Sequence, residues 1–516
     1  IQFAQNELLV STDDQAQLSA IKTRWGATEI GSPAIPIPGI PKGHVLRIDT
    51  SRATAATLVP NLREGVNRPD GLQKVSSGAA LGLLAAAAEE RARGTLVGVN
   101  WLAPGAQVDI DGVNNKMFTD GAPLDPATAA MEPSSNSYDW RHFQMHEVNQ
   151  AWELLLFSKK LKPVIDVAMI DAGFAIGFQD EDHYQQLGCA SGSCENPFDC
   201  GGDTSCPWHG VHTASSGFGD PNNQYGGAGP GAGVSDLTLL WGFGDMATTL
   251  ISVPALVVGG EDIINFSNAI PVPDWLSFST LPAEQVMWGA RHVAGTLIFA
   301  SSGNARVGQS AVNVDKKRCF SLLFGSICPW EEAVWFPCEG SGVACVGATN
   351  YADKGRADYS NYGDSVEYWA SGAALSGADP SRTGDDSKYH FEFGTSFSSP
   401  FMAGTAALTW AANPYQLLAG DVEDCLNAAK LGGPDGRFVN TYFATACGLG
   451  NPTNLAPIVE IVQPEEEDVN LASLGLVQIQ AKAGDFEDGP ISTFGWSDEN
   501  GQLLGTTFGG QPLLYV

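Results

Sequence analysis

The amino-acid sequence predicts an α/β fold, with a three-layer domain built on a mostly parallel sheet in the middle of the chain. Short apolar runs alternate there with helical patterns, which is typical of strands buried on both faces. The chain has 516 residues, enough for about three domains. We therefore expect a small α+β unit before the central domain and an all-β module after it. The predicted buried strands are 164–170, 237–241, 262–266, 297–300 and 343–346.

The chain divides into four segments of different character. Residues 1–102 alternate strand-like and helix-like stretches, and residues 103–137 are rich in Pro, Gly, Asp, Asn and Ser, as expected of a linker. The α/β domain occupies 138–457. Residues 458–516 alternate apolar and polar side chains, which favours strands. Because a β-sandwich usually needs about 100 residues, we expect this last module to be incomplete.

The charge balance is strongly acidic. The 58 Asp and Glu residues outnumber the 27 Lys and Arg residues, which gives a formal charge of -31. This charge repels phosphate backbones and anionic lipids, so we expect no nucleic-acid partner. The longest apolar stretch, 78–88, is too short to cross a bilayer, so we expect no membrane span. No signal-peptide pattern is present, so an export signal would have been removed before residue 1.

The ten cysteines all lie beyond residue 188. Their even number, and the lack of any CxxC pair or finger-like Cys/His spacing, favour disulfides over a metal site. Disulfides imply an oxidising compartment, so we expect a secreted, extracellular protein. The cysteines are Cys189, Cys194, Cys200, Cys206, Cys319, Cys328, Cys338, Cys345, Cys425 and Cys447.

A serine within GTSFSSPFMAG, residues 394–404, is the strongest candidate for a nucleophile. An Ala-rich stretch follows, so Ser396 is predicted to lie in the first turn of a helix. We expect its side chain to be exposed at the helix tip, where free N–H groups and the positive end of the dipole favour negative charge. Taken alone, the same serine could instead cap a buried helix.

Three further residues supply the other groups that acyl transfer requires. Asp171 follows the first predicted strand, at the edge of a parallel sheet where ligands bind. His209 can accept a proton near neutral pH, and Asn304 follows the fourth predicted strand. In isolation, Asp171 could cap a turn, Asn304 could be structural, and His209 with His212 could be half of a metal site.

The motifs around these residues resemble those of the subtilisin-like serine proteases. GTSFSSPFMAG has the pattern GTSxxxPxxxG at every fixed position. WHGVHTA, around His209, is similar to HGTHVAG, although Val211 and Thr213 replace the usual Thr and Val. VAMIDAGF is similar to V-x-V-x-D-[ST]-G, with Ala172 in place of the hydroxyl residue, and SSGN is similar to AAGN. YSNYG and ASG resemble FSNYG and APG, with Ser371 in place of proline.

The resemblance implies a catalytic triad of Asp171, His209 and Ser396, in the order along the chain that subtilisins have. Ser396 would be the nucleophile, His209 its general base, and Asp171 the group that orients the imidazole. Asn304 would donate its side-chain amide to the oxyanion, and His212 would be structural.

Substrate-binding residues are also implied by the resemblance. NFSNA, residues 265–269, aligns with the family's NxSLGG strand, which pairs with the substrate backbone. The glycine pair is absent here, so we expect the wall of the S1 pocket to differ. The predicted substrate-binding residues are Ser267, Asn268, Ala269, Ser302 and Gly303.

Calcium binding is one of two interpretations of the segment after the histidine helix. Many relatives bind calcium there, and Asp220 and Asn222 offer the hard oxygen ligands that calcium prefers. The same composition also describes a solvated turn. The resemblance implies that the chemistry itself requires no cofactor.

The flanking segments resemble accessory parts of these proteases. Residues 1–102 have the layout of the propeptide, a small ferredoxin-like α+β domain that assists folding and acts as an intramolecular inhibitor until it is cut away. Cleavage would then fall within 103–137, because a protease needs an extended segment. A permanent accessory domain is the alternative. Residues 458–516 resemble immunoglobulin-like or PKD-like modules.

We therefore expect a secreted, monomeric serine endopeptidase that hydrolyses proteins or peptides and is made as a self-processing zymogen. Two alternatives would use the same scaffold. One is a noncatalytic surface-binding protein, against which the complete set of triad residues argues. The other is a peptide ligase, and nothing in the sequence selects ligation over hydrolysis.

Overall fold

A computed structural model gives the structure of most of the chain. The predicted linker, 103–137, lies outside the described residues, and so do Asn222 and the first four cysteines. The described residues are 2–53, 77–102, 138–171, 174, 184–187, 209–221, 227–242, 245–305, 310–322, 325–331, 333–350, 353–376, 390–451, 458–463, 478–485, 489–490, 493–497, 502–508 and 513–515.

The described residues of the N-terminal unit form an antiparallel four-stranded sheet and two helices. Its elements are, in chain order, β1 (Gln2–Ser11), α1 (Gln15–Trp25), β2 (Thr28–Gly31), β3 (Gly43–Arg47), α2 (Gly78–Ala92) and β4 (Leu96–Leu102). The side chains of Asp14 and Ser77 cap the two helices by accepting N–H groups of the first turns. The strand order β2-β3-β1-β4 is the predicted ferredoxin-like arrangement.

The central domain is built on a parallel sheet, of which seven strands lie within the described residues. The strands of this domain are β5 (Ile165–Asp171), β6 (Tyr184–Leu187), β7 (Ser235–Trp241), β8 (Ile263–Phe266), β9 (Ile270–Pro273), β10 (Leu297–Ser301), β11 (Lys317–Leu322), β12 (Gly325–Glu331), β13 (Ala333–Phe336), β14 (Ala344–Thr349), β15 (Tyr368–Ser371), β16 (Ala373–Ser376) and β17 (His390–Phe393). The parallel sheet has the order β15-β14-β10-β8-β5-β7-β6, which confirms the predicted α/β architecture. Three antiparallel pairs, β9 with β13, β11 with β12 and β16 with β17, lie outside this sheet.

Helices cover both faces of the parallel sheet. They are α3 (Tyr138–His146), α4 (Val148–Phe157), α5 (His209–Phe218), α6 (Met246–Gly259), α7 (Leu281–Gly289), α8 (Thr395–Ala411), α9 (Ala419–Ala428) and α10 (Thr441–Gly448). Successive side chains of β5 point to opposite faces. Ala168 and Ile170 pack in one apolar core with α6 and α7, whereas Val167 and Met169 pack in the other with α5 and α8. The strand is buried on both faces for this reason.

The N-terminal unit packs against α6 and α7. Leu9 and Val99 of the unit share one continuous apolar core with Leu250 of α6 and Met287 of α7. The contact includes polar groups, because the main-chain N–H of Ala247 donates to the side-chain oxygen of Asn100 (N···Oδ1 3.0 Å). The start of α6 is therefore held by a side chain of the N-terminal unit.

A glycine allows β4 to approach the short 3₁₀ helix Asp274–Thr280 closely. A Cβ atom added at Gly98 would lie 2.1 Å from the main-chain oxygen of Ser279. Trp101, on the same strand, donates its indole N–H to Ser279 Oγ (2.7 Å). Any residue larger than glycine at position 98 would push the two units apart.

The C-terminal segment contains antiparallel strands, as predicted for an all-β module. They are β18 (Ile458–Gln463), β19 (Gln478–Asp485), β20 (Gly489–Pro490), β21 (Thr493–Ser497), β22 (Leu503–Phe508) and β23 (Leu513–Tyr515). β19 pairs with β18, β20 and β23, and β21 pairs with β22. The resemblance to immunoglobulin-like or PKD-like modules stays a prediction. Among the residues described above, no helix has an apolar stretch that could cross a bilayer.

Candidate active site

The three predicted triad residues lie at the ends of secondary-structure elements. Asp171 is the last residue of β5, His209 is the first of α5, and Ser396 is the second of α8. Helices α5 and α8 pack together: Ser216 Oγ donates to the main-chain oxygen of Phe397 (2.9 Å), and the rings of Phe397 and His209 lie 6.1 Å apart. The histidine therefore lies next to the first turn of the serine helix.

Asp171 and His209 form a buried hydrogen-bonded pair. The distance from His209 Nδ1 to Asp171 Oδ1 is 2.7 Å, and the two residues are 8% and 7% exposed. Because a carboxylate only accepts hydrogen bonds, Nδ1 carries the proton of the neutral ring and Nε2 has the lone pair. Nε2 is thus the ring atom that can accept a proton from a hydroxyl.

Thr213 binds the second oxygen of the same carboxylate. Its Oγ1 donates to Asp171 Oδ2 at 2.8 Å, and the threonine is fully buried. Thr213 lies four residues after His209 in α5, so the two side chains share one face of the helix. In the sequence this threonine is visible only as a departure from the family motif. The four-residue spacing within a predicted helix is the signal that points to its role.

Ser396 is buried, so the expectation that its side chain is exposed at the helix tip is wrong. Its exposed fraction is 0%, and Oγ donates to the main-chain oxygen of Ser267 at 3.2 Å. The chain after β8 therefore lies against the first turn of α8, a contact that a helix-start pattern cannot reveal. The N–H groups of a first turn point beyond the helix end and favour negative charge there.

Asn304 lies beside the same turn of α8. Its Oδ1 accepts two hydrogen bonds from Thr395, one from the main-chain N–H and one from Oγ1, each 2.9 Å long. Both bonds engage the oxygen, so they fix the amide plane and orient Nδ2. A Cβ atom added at Gly394 would lie 3.2 Å from Nδ2. The amide donor is therefore held close to the residues that precede Ser396.

A buried polar network supports the segment that contacts Ser396. Asn265 Nδ2 donates to Ser267 Oγ (2.9 Å), and Ser399 Oγ donates to Asn265 Oδ1 (2.6 Å). The network joins the end of β8 to α8 and so helps to fix the main-chain oxygen of Ser267. Neither Asn265 nor Ser399 is among the predicted site residues. The available signal was an amide within a predicted buried strand.

The other predicted substrate-binding residues lie in the same neighbourhood. Ser302 is fully buried, and its Oγ donates to the main-chain oxygen of Asn361 (3.2 Å). Gly303 has a φ of +87°, and a Cβ atom there would lie 3.0 Å from Cβ of Ala269, so both conformation and space favour glycine. Asn268, next to Ala269, is partly buried. That these residues contact substrate stays a prediction.

The predicted calcium site cannot be assembled from the described residues. Asp220 follows α5, whereas its predicted partner Asn222 lies outside the described ranges. In the described part of the chain, no three His, Cys, Asp or Glu side chains are grouped to hold a metal ion. Calcium binding therefore stays a prediction.

Among the described residues of the central domain, two pairs of cysteines form disulfides. Cys338 pairs with Cys345, and Cys425 pairs with Cys447. The second bond joins α9 to α10, two helices next to α8. For these four cysteines the prediction of disulfides over a metal site is confirmed.

Sequence comparison places the site within a known family model. The model of the Subtilase family matches residues 164–442, which is more than half of the chain. The cell wall-associated protease of Bacillus subtilis (strain 168) is 35% identical over 96 residues, 19% of this chain and 10% of that protein. The match thus spans about a tenth of the length of that curated relative.

Comparison with solved structures shows a likeness of fold. The epidermin leader peptide processing serine protease from Staphylococcus aureus is 11% identical, with a TM-score of 0.51 over 85% of this chain and 99% of that chain. The nisin leader peptidase from Lactococcus lactis is 16% identical, with a TM-score of 0.45 over 60% of this chain and 94% of that chain. The likeness to the epidermin protease supports the predicted fold class.

Proposed function

The chain belongs to the subtilase family, and we propose that it is a secreted serine endopeptidase made as a self-processing zymogen. The observation that carries the proposal is the buried Asp171–His209 pair, packed next to the helix turn that bears Ser396. This arrangement supplies an oriented base and a nucleophile in one place. The substrates we propose are proteins or peptides.

In the proposed acylation step, Ser396 Oγ attacks the carbonyl carbon of a peptide bond. A C–O bond forms while the hydroxyl proton passes to His209 Nε2 and the carbonyl oxygen takes up the electron pair. Asp171 stabilises the imidazolium through its hydrogen bond from Nδ1. The C–N bond then breaks, His209 gives its proton to the leaving amine, and the acyl group remains on Ser396.

In the deacylation step, water replaces the amine. His209 takes a proton from the water, whose oxygen bonds to the acyl carbon, and then returns a proton to Ser396 as the ester C–O bond breaks. We assign the developing oxyanion in both steps to Nδ2 of Asn304 and to the first-turn N–H groups of α8. In this scheme the chemistry requires no cofactor.

We further propose that the N-terminal unit is a propeptide and an intramolecular inhibitor. Its ferredoxin-like topology and its apolar packing against α6 and α7 support this role. The proposed cleavage segment, 103–137, lies outside the described residues. The cut would have to fall there to separate the unit from the central domain.

Secretion is supported by two properties of the chain. The disulfides Cys338–Cys345 and Cys425–Cys447 favour an oxidising compartment. The formal charge of -31 favours solubility outside the cell.

The test compares the unmodified chain with Ser396→Ala and with Ser398→Ala. Ser398 is a matched control, because it is a serine in the same helix, two residues after Ser396. Its Oγ donates locally, to the main-chain oxygen of Thr395 (3.0 Å). Labelling of each protein is measured with a fluorophosphonate probe, and turnover is measured with a peptide substrate. The mass of each chain is measured by mass spectrometry. We expect labelling, turnover and N-terminal shortening in the unmodified chain and in Ser398→Ala.

Ser396→Ala is expected to lose labelling and shortening, and at least about a thousandfold of the turnover. Equal labelling of the unmodified chain and Ser396→Ala would mean that Ser396 is not the nucleophile. Labelling without any shortening of the unmodified chain would contradict the propeptide role and leave the protease assignment intact.

A further inference from the structure

The carboxylate of Asp171 is held on both oxygens by one helix. Oδ1 accepts from His209 Nδ1 (2.7 Å), and Oδ2 accepts from Thr213 Oγ1 (2.8 Å). The two donors are separated by one turn of α5, and all three side chains are buried. A carboxylate bound at both oxygens cannot rotate about its Cβ–Cγ bond without breaking one of the two contacts.

The hydroxyl proton of Thr213 has two acceptors within reach. The main-chain oxygen of Gly210 lies 3.1 Å from Oγ1, compared with 2.8 Å for Asp171 Oδ2. A hydrogen bond to an ionised acceptor is shorter and stronger than one to a neutral carbonyl. The proton is therefore directed mainly at the carboxylate.

We propose that Thr213 is a positioning residue for the serine-protease chemistry, an inference that rests on the proposed function. Thr213 acts through Asp171: its hydroxyl fixes the plane of the carboxylate so that Oδ1 faces the imidazole. The hydrogen bond from this hydroxyl also stabilises the negative charge of Asp171, which is buried. The substrate does not contact Thr213.

Two departures from the family motif support this role. The residue after Asp171 is Ala172, where the motif has Ser or Thr, and residue 213 is threonine, where the motif has Val. One hydroxyl residue is thus missing from the strand end, and another is present in the helix, where its oxygen meets the carboxylate. A third departure, Val211 in place of Thr, leaves Thr213 as the one hydroxyl residue within VAMIDAGF and WHGVHTA.

The main test uses Thr213→Val, which keeps the shape of the side chain and removes the hydroxyl, and Thr213→Ser, which keeps the hydroxyl. For Thr213→Val we expect kcat to fall about tenfold, as for loss of a hydrogen bond to a charged group, with KM unchanged. We also expect the acid limb of the kcat/KM profile to move to higher pH, because the unshared charge of Asp171 holds the imidazolium more strongly. Thr213→Ser should restore both values.

A second pair of variants covers a change in folding. Thr213→Ala and Thr213→Ser both lack the methyl group, and only the serine variant has the hydroxyl, so any difference between them belongs to the hydroxyl. Active enzyme is counted by titration with the fluorophosphonate probe. Equal losses in the alanine and serine variants, or a Thr213→Val profile that coincides with the unmodified one, would overturn the proposal.

A readout that needs no turnover separates this inference from the proposed function. In the Ser396→Ala background, the low-field proton resonance of His209 Nδ1–H, assigned by its loss in His209→Gln, reports the bond to Asp171. We expect Thr213→Val to shift or broaden this signal and Thr213→Ser to leave it in place. If the chain proves inactive while the signal responds in this way, the proposed function fails, whereas the effect of the Thr213 hydroxyl on the Asp171–His209 bond is still supported. An unchanged signal overturns the positioning role.

Discussion

At the scale of single residues, His146 shows how the main chain can require a neutral histidine. Its Nδ1 donates to the main-chain oxygen of Val439 (2.6 Å), and its Nε2 accepts from the N–H of Ser371 (3.1 Å). The ring is buried and stacks on Phe438, with the centroids 4.1 Å apart. Burial lowers the pKa of His146 to about 3. A protonated ring could not accept the Ser371 hydrogen bond.

His146 should make folding less favourable at acid pH. The unfolded chain binds a proton at this ring below about pH 6.5, whereas the folded chain does so only near pH 3. The stability that the neutral ring contributes is present above about pH 6.5 and is lost as the pH falls. We expect His146→Gln, which does not titrate, to gain about 1.4 kcal/mol relative to the unmodified chain per pH unit below 6.5.

The measurement is the free energy of unfolding in urea between pH 4 and 7.5, for both proteins in the Ser396→Ala background. A difference between them that stays constant over this range would contradict the expected linkage. The position of Ser371 fits the same picture. The family motif has proline there, and proline lacks the N–H group that His146 accepts.

The sequence identified the residues of the candidate site better than the residues with which they form hydrogen bonds. Asp171, His209, Ser396 and Asn304 are marked by motifs, and the structure brings Asp171 and His209 into contact. The contact between Thr213 and Asp171 joins residues that are 42 positions apart and depends on how α5 packs against β5. The burial of Ser396 likewise depends on a distant loop. Tertiary packing of this kind leaves no local pattern.

At the scale of elements, the approach of β4 to the 3₁₀ helix Asp274–Thr280 depends on Gly98. We expect Gly98→Ala to destabilise the protein by about 1–3 kcal/mol, as for other overpacked positions. The added Cβ would lie 2.1 Å from the main-chain oxygen of Ser279, which belongs to a backbone that cannot swing aside. The measurement is urea unfolding in the Ser396→Ala background, which removes the nucleophile of the proposed self-cleavage.

Gly78→Ala is the matched control for this prediction. Gly78 is the first residue of α2 in the same unit, and a Cβ atom there would meet nothing within 4 Å. Alanine favours helix by up to about 1 kcal/mol over glycine, so this variant should be neutral or slightly stabilising. Equal destabilisation by the two substitutions would show that the contact at Ser279 is not the cause.

Strand positions followed from the sequence more closely than strand ends did. The predicted strand 164–170 is β5, displaced by one residue, because the N–H of Gly242 bonds to the main-chain oxygen of Asp171 (2.8 Å) and extends the ladder. β1 is longer than the strand-like stretch 6–10 of the sequence, since pairing with β4 resumes at Phe3 beyond an irregularity. Both differences are set by the neighbouring chain.

At the scale of the whole molecule, buried carboxyl groups set the response to pH. Burial raises the pKa of Glu153, Glu261 and Glu367 to about 7, and that of Asp262 to about 6. These values lie above those of the unfolded chain, so the groups favour folding fully only below about pH 4.5, and this advantage is lost as the pH rises to about 7. His146 acts in the opposite direction. We expect the free energy of unfolding to be greatest at about pH 5.

Glu261→Gln tests the carboxyl contribution. The variant should be as stable as the unmodified chain near pH 4.5, and its advantage should grow to about 1–3 kcal/mol at pH 7 and then level off. Urea unfolding at half-unit steps between pH 4.5 and 8 measures this difference. A variant whose advantage is the same at every pH would show that Glu261 is not protonated in the folded protein.

The overall architecture was predictable, but the docking of the N-terminal unit was not. Alternating apolar runs predict the parallel sheet, and alternating strand and helix signals predict the α+β unit before it. The faces through which the two meet depend on small side chains such as Gly31 and Gly43, where an added Cβ would strike Ile251 and Leu250. Local patterns do not reveal which surfaces are complementary.

The N-terminal unit shares an apolar core with the helices α6 and α7. Cleavage of the main chain would therefore not be enough to release the unit. A main chain cleaved between residues 102 and 138 would leave two fragments that stay bound to each other through apolar contacts. The contacts are made by Leu9, Val99, Leu250 and Met287. Electrophoresis in detergent would show two bands while gel filtration still showed one peak. The N-terminal unit would then be released at a rate different from the rate of cleavage. The release rate depends on how often the shared core opens and on how fast the released unit is degraded.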